Sequence, residues 1–144
     1  MMKGDPKILT KKERDCLLAI YRDLESSGLP PRLTDLARAM GVRPPTALEL
    51  IRRLMEKGVV ERRRGLIALS ESGRREALNI LAVHRALEVF FAGCGMSADE
   101  ACSLAGQIDY IVESRLPPGN LLEALGNPTQ CPHGYPIPGG SARR

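Results

Sequence analysis

Arg43, Arg52, Arg53, Arg62, Arg63 and Arg64 lie close together in the chain, with Thr46 and Glu49 between them. The guanidinium fork matches phosphate oxygens and the paired acceptors of a guanine edge, and a hydroxyl or carboxylate can read neighbouring groups in a groove. The surrounding charge agrees: residues 32–75 carry eleven Lys/Arg against five Asp/Glu, whereas 76–144 carry four against seven and 1–31 six against five. A basic middle followed by an acidic end fits a nucleic-acid-binding module joined to a second module with a different task. The competing reading is a solvated arginine-rich face. Two Phe, three Tyr and no Trp provide little for stacking unpaired bases, so duplex DNA is the better partner.

Other chemistries have fewer members. Cys16, Cys94, Cys102 and Cys131 include no CxxC pair, which argues against a zinc ribbon or a disulfide scaffold. With two histidines, no activated-serine motif, no glycine-rich phosphate loop and no zinc-protease string, an enzyme is not expected. The 144 residues are 43% hydrophobic and 26% charged, a globular composition without the roughly 18–20-residue apolar run that spans a bilayer. Nothing at the N-terminus resembles an export signal, so the expected compartment is the cytoplasm.

The elements that must place the arginines follow from caps and periodicity. Thr10-Lys11-Lys12-Glu13 is a capping box opening a helix over about 11–26, ended by Gly28. Thr34 is expected to cap a short second helix through Met40. Pro44 and Pro45 suit the first turn of a third, whose Ala47, Leu48, Leu50, Ile51, Leu54 and Met55 form an apolar side until Gly58. Residues 59–64 and 66–69 read as strands around Gly65. The sum is a winged helix-turn-helix whose third helix offers Arg43, Thr46, Glu49, Arg52 and Arg53 to DNA, with Arg62, Arg63 and Arg64 as a basic wing.

Ser70 caps a predicted helix over about 71–92, with Leu78, Leu81, Leu87, Phe90 and Phe91 as expected buried positions. Ser97-Ala98-Asp99-Glu100 is a second capping box, opening a helix to about Arg115. Leu121, Leu122 and Leu125 predict a further short helix, and the Pro/Gly-rich stretch from Gly126 is expected to be extended and partly mobile. The expected fold is mainly α: a winged helix-turn-helix over 1–75, an all-helical dimerisation domain over 76–126, and a tail over 127–144, with no C-terminal barrel. The helical half carries more apolar face than a small module needs, which suits pairing with a second copy.

The order of parts and several strings resemble the diphtheria-toxin-repressor family of metal-responsive transcription factors, which includes the iron and manganese regulators. The strings are Ala19-Ile20-Tyr21 with Gly28, Leu33-Thr34-Asp35-Leu36-Ala37 through Val42, Leu69-Ser70-Glu71-Ser72-Gly73-Arg74, His84-Arg85 with Glu88, Asp99-Glu100-Ala101-Cys102, Glu113-Ser114-Arg115-Leu116, Gly126-Asn127-Pro128, Cys131-Pro132-His133-Gly134 and Pro136-Ile137-Pro138. The resemblance spans about residues 10–138 and implies a homodimer bound to double-stranded operator DNA. It further implies a divalent metal between the modules that fixes the spacing of the two reading heads.

Carried over by position, the family's metal ligands are incomplete here. Cys102 matches, but the Glu-His pair that should follow it is Ala105 and Gly106. A histidine expected in the preceding loop is Ala98, and Leu18 stands where manganese-type members place a carboxylate. The resemblance leaves Asp15, His84, Glu88 and Cys102 as candidate ligands, with Cys131 and His133 on the tail. Imidazole and thiolate suit zinc or ferrous iron better than manganese. Against ligation stand plain structural roles: Cys102 in a core, His84 and Glu88 as a hydrogen-bonded pair, and Cys131-Pro132-His133 as a tail turn. A single remodelled site, or none, is expected. The function implied is a metal-dependent regulator, most simply a repressor. The alternatives are a metal-independent regulator answering to thiol oxidation or a small ligand, a winged-helix protein-interaction adaptor, and a small metalloenzyme on His84, Cys102 and Glu88.

Overall fold

A computed structural model describes residues 8–139, and the chain divides between Ala77 and Leu78 into two compact units. Along the chain run α1 (Lys11–Ser27), α2 (Leu33–Met40), α3 (Pro44–Glu56), β1 (Val60–Arg63), β2 (Leu66–Leu69), α4 (Glu71–Gly93), α5 (Ala98–Arg115) and α6 (Pro118–Ala124). The unit boundary falls inside α4. No described helix is long and apolar enough to cross a membrane.

In the first unit α1, α2 and α3 pack on one another, with β2 against α1 and β1 against α3. Leu17, Leu18, Ile20, Leu36, Ala47, Ile51, Leu54 and Ile67 are fully or almost fully buried. The Thr10–Glu13 capping box forms: the Glu13 amide donates to Thr10 Oγ1 at 3.2 Å, and the Thr10 amide to Glu13 Oε1 at 3.1 Å. The wing is an antiparallel hairpin in which Arg63 pairs with Leu66. The two residues between them, Arg64 and Gly65, both have positive φ (52° and 81°), which is what a type I′ turn requires and what matches the twist of the strands.

The base of the wing is locked to the start of α4. Ser70 Oγ donates to the Gly58 carbonyl at 2.6 Å and accepts from the Gly73 amide at 3.0 Å. A Cβ on Gly73 would lie 1.9 Å from the Val59 carbonyl oxygen, so this turn of α4 approaches the backbone as only glycine can.

Several expectations change. Thr34 does not cap α2; Arg32 occupies the N-cap, and Asp35 Oδ2 accepts from the Arg32 amide at 3.3 Å. The cause is tertiary. Arg32 bridges to Leu66 and the Ile67 amide donates to the Pro31 carbonyl at 2.8 Å, so the extended segment is pinned to the sheet and the helix starts earlier than its caps indicate. Phe90, expected inside, is 50% exposed, and Leu78 and Phe91 are only partly covered.

The second unit has a small-residue core. Ala82 and Ala86 of α4 pack with Leu122 and Ile137, and Val83 and Leu87 pack with Ala105 of α5. Alanines at these positions let neighbouring segments approach α4 closely. Ile137 shows that the described tail is not a free extension. Gln130 bridges to Pro136, the Cys131 amide donates to the Tyr135 carbonyl at 2.9 Å, and Arg85 Nη1 donates to the Pro136 carbonyl at 2.5 Å. The Arg85 guanidinium also lies 5.4 Å from the centroid of the Tyr135 ring, a cation–π contact. Residues 127–139 thus form a hook folded onto α4; the expected mobility of the last five residues concerns positions outside the described ones.

Candidate nucleic-acid face and metal centre

Burial of Ala47, Leu50, Ile51 and Leu54 fixes how α3 rolls against its unit, and the helical period then sends its other residues outward. Arg43, at the N-cap, and Thr46, Glu49, Arg52 and Arg53 are all exposed, as are Arg62, Arg63 and Arg64 on the hairpin. Glu49 lies 3.8 Å from Arg52 and 3.5 Å from Arg53, and Arg63 lies 2.7 Å from Glu61. Such solvent-exposed pairs are weak and readily exchanged for other anions. Lys12 of α1, which sequence reasoning did not single out, joins Pro45, Thr46, Glu49, Leu50 and Arg53 around an open groove of about 370 Å³. Only packing of α1 on α3 could reveal that.

The second unit gathers most of the predicted ligands. His84 and Glu88 share one face of α4, with Nε2 and Oε2 3.6 Å apart. Cys102 on α5 brings its sulfur to 3.5 Å from the same Nε2. From the tail hook, His133 Nδ1 lies 3.5 Å from Glu88 Oε2, and the Cys131 sulfur, like that of Cys102, lies within 4.8 Å of a Glu88 carboxylate oxygen. The donor atoms of His84, Glu88 and Cys102 lie within 4.8 Å of one another, as do those of Glu88, Cys131 and His133. Asp15 belongs to neither set. Its carboxylate takes ion pairs from Lys11 and Arg14, each at 2.9 Å.

One residue that sequence reasoning missed completes the environment. Asp109, fully buried on α5, lies 2.9 Å from His84 Nδ1. An acceptor at Nδ1 fixes the ring so that Nε2 faces Glu88 and Cys102, the arrangement by which carboxylates orient metal-binding histidines. His133 has a counterpart in Asp99, whose Oδ1 is 2.9 Å from Nε2.

The electrostatics are mutually reinforcing. Burial opposes ionisation of Glu88, but bonds from His84, Cys102 and Cys131 outweigh it and hold the carboxyl below its ordinary range. Burial likewise opposes charging of His84, yet Asp109 and Glu88 together raise its pKa. Asp99 first, and Glu88 after it, raise that of His133. No buried side-chain nitrogen or oxygen among the described residues lacks a partner, so the metal-free cluster is internally satisfied. Cys16 is different in kind: burial above all, with Glu13 and Asp15 nearby, pushes its thiol up to about 12, so it stays protonated in the core.

Known proteins align with both units. Residues 70–139 match the metal binding and dimerisation domain of iron dependent repressors, and residues 6–66 match the LexA DNA binding domain. The chain is 28% identical over 128 residues to the iron-dependent repressor IdeR of Mycobacterium tuberculosis, which covers 85% of this chain and 54% of that protein. It is 32% identical over 126 residues to an uncharacterised HTH-type transcriptional regulator of Aeropyrum pernix, covering 84% and 68% respectively. Among solved structures, a manganese-dependent transcriptional repressor in complex with manganese superposes with a TM-score of 0.75 at 38% identity, over 88% of this chain and 58% of that one. The chain thus spans about half the length of the mycobacterial repressor it matches.

Proposed function

The chain belongs to the diphtheria-toxin-repressor family of metal-dependent regulators, and from that premise we propose that it is a homodimeric, operator-binding repressor controlled by a divalent transition metal. The observation that carries the reading is the division of labour between the units. One exposes eight residues suited to a duplex on a helix and a wing, and the other collects five metal-donor side chains from three separate segments.

On the DNA side, α3 would enter the major groove and the arginines of the wing would lie along phosphates. On the helical side, exposed Phe90 and Ile111 leave apolar surface that a second copy would cover. Two-fold pairing would then space two reading helices about one duplex turn, roughly 34 Å, apart. Such a regulator would work in the cytoplasm.

The donor chemistry fits a metal, and narrows which one. Two thiols, two imidazoles and one carboxylate suit zinc or ferrous iron; manganese prefers a richer oxygen set. His84, Glu88 and Cys102, with Cys131 and His133, would hold it. A bound dication would tie the tail hook and α5 to α4, and any preference of that state for the operator-competent dimer shifts the population accordingly. The test is operator affinity of the reduced protein with ferrous or zinc ion and with chelator, across a salt series. Tight, steeply salt-dependent binding that chelation weakens supports the proposal. Salt-insensitive or absent duplex binding would favour a protein-interaction adaptor.

A second reading has its own observation. Cys102 and Cys131 each place their sulfur within 4.8 Å of the Glu88 carboxylate, so oxidation of either thiol would disturb the same cluster without any metal. Operator affinity that responds to peroxide but not to chelator, and loses that response in Cys102→Ser and Cys131→Ser, would favour it.

A further inference from the structure

We propose that Glu49 is the residue by which the α3 face selects its operator, and that it selects a cytosine, at matching positions of the two half-sites, through the 4-amino group of that base. The inference rests on the duplex-binding reading above and specifies a base that the duplex must contain.

The carboxylate stands where a surface meant for a polyphosphate has least use for one. Ala47, Leu50, Ile51 and Leu54 form the buried side of α3. With about 100° of rotation per residue, Glu49 points away from that side, with Arg53 about 40° round the helix in one direction and Arg52 about 60° in the other. Its Oε2 lies 3.5 Å from Arg53 Nε and its Oε1 3.8 Å from Arg52 Nη1. The Glu49 side chain is 54% exposed, so these pairs add little to folding. Thr46, Glu49 and Arg53 line one open groove together with Lys12, and the carboxylate and the guanidinium therefore face the same concave surface.

An ionised carboxylate accepts hydrogen bonds and donates none. Phosphates repel it, and the major-groove edges of guanine and thymine offer it acceptors or a methyl group. Adenine sets its amino group beside the acceptor N7. Cytosine alone presents an amino group in that groove with no acceptor of its own next to it. The paired guanine then turns N7 and O6 toward a guanidinium, so that Glu49 and Arg53 together supply the acceptor and the donors that a C·G pair calls for. On any other sequence Glu49 has no donor to meet, and its charge subtracts from the attraction of the arginines for phosphate. The same side chain thus rewards the right base and penalises the wrong ones.

Selection from a randomised duplex library by the full chain, reduced and loaded with zinc, tests this, followed by affinity measurements on the selected duplex. A symmetric pair of cytosines is expected, and replacing them by any other base should weaken binding by at least about tenfold. Pyrimidin-2-one nucleoside, which lacks the 4-amino group, should cause the same loss when placed there. Glu49→Gln should turn the preference to adenine, whose N6 and N7 match an amide. Glu49→Ala should bind all these duplexes alike, and should bind unrelated duplexes more tightly than the wild type does. Selected duplexes without a shared cytosine, or a cytosine preference that survives in Glu49→Ala, would overturn the assignment and leave duplex binding standing. Failure to enrich any duplex would sink both this inference and the reading beneath it.

Discussion

Glu49 and Glu88 each have a basic side chain four residues away on their own helix, yet the two pairs behave as different chemical objects. Glu49 is half-exposed, 3.5 Å from Arg53 and 3.8 Å from Arg52. Water screens these contacts, and an approaching phosphate or base can replace them at little cost. Glu88 is sealed beside His84, with thiols on the same carboxylate. Its partners cannot leave without stranding a charge away from water, and only an incoming cation can take their place. The contrast separates a surface whose ion pairs water can exchange from a buried cluster whose charges are held by one another.

The largest test of that contrast is Asp109→Ala. It removes the buried acceptor of His84 and should cost about 3–5 kcal/mol of folding stability in metal-free protein, the range for breaking a buried charged pair. Urea unfolding under chelation measures it, and a drop below about 1 kcal/mol would place the cluster with the exposed pairs. Next come Arg52→Ala and Arg53→Ala, each expected to weaken the specific complex by about 1–3 kcal/mol where the side chain reaches a base edge. Competition against single-base operator variants would reveal relaxed preference at one position.

Neutralising Arg62, Arg63 and Arg64 should instead weaken binding to all duplexes alike. The slope of log affinity against log salt should flatten by about 0.9 for each phosphate no longer neutralised by an arginine; an unchanged slope would remove the wing from the interface. The mildest change is Glu49→Gln, expected to move folding stability by no more than about 0.5 kcal/mol, with any larger effect confined to operator preference.

The pH dependence sharpens the same comparison. The pKa of His84 is raised from 6.5, so the stability it contributes is present below that value and fades as pH rises through the higher folded pKa. That of Glu88 is lowered from 4.5, so its contribution is present above that value and is lost as pH falls through the lower folded one. Chelated wild-type protein should therefore lose stability above neutral pH, where the metal-loaded form gains affinity as protons leave its ligands. Thermal melts with and without zinc at several pH values should move in opposite directions.

What was readable in advance follows the range of each interaction. The capping boxes at Thr10 and Ser97 formed as their three-residue spacing implied, with the Glu100 amide 3.1 Å from Ser97 Oγ. The hairpin turned at Gly65, and the exposed arginines of α3 followed from its apolar stripe. Thr34 failed as a cap because pairing of Arg32 with Leu66, far along the chain, set where α2 begins. Phe90 was misplaced because hydrophobicity marks what can be buried without saying whether the same chain supplies the cover. Asp15 entered the ligand set by family position, and within its own unit it takes ion pairs from Lys11 and Arg14.

By itself the sequence determined the helices, the wing and the exposed arginine-rich face, since these depend on caps, period and turn geometry within a few residues and on charges that need no cover. The tertiary structure alone decided that Asp109 and Asp99 orient the two histidines and that the tail hook delivers Cys131 and His133 to Glu88. Those relations join positions tens of residues apart, and a buried donor's chemistry is set by whichever groups packing brings against it.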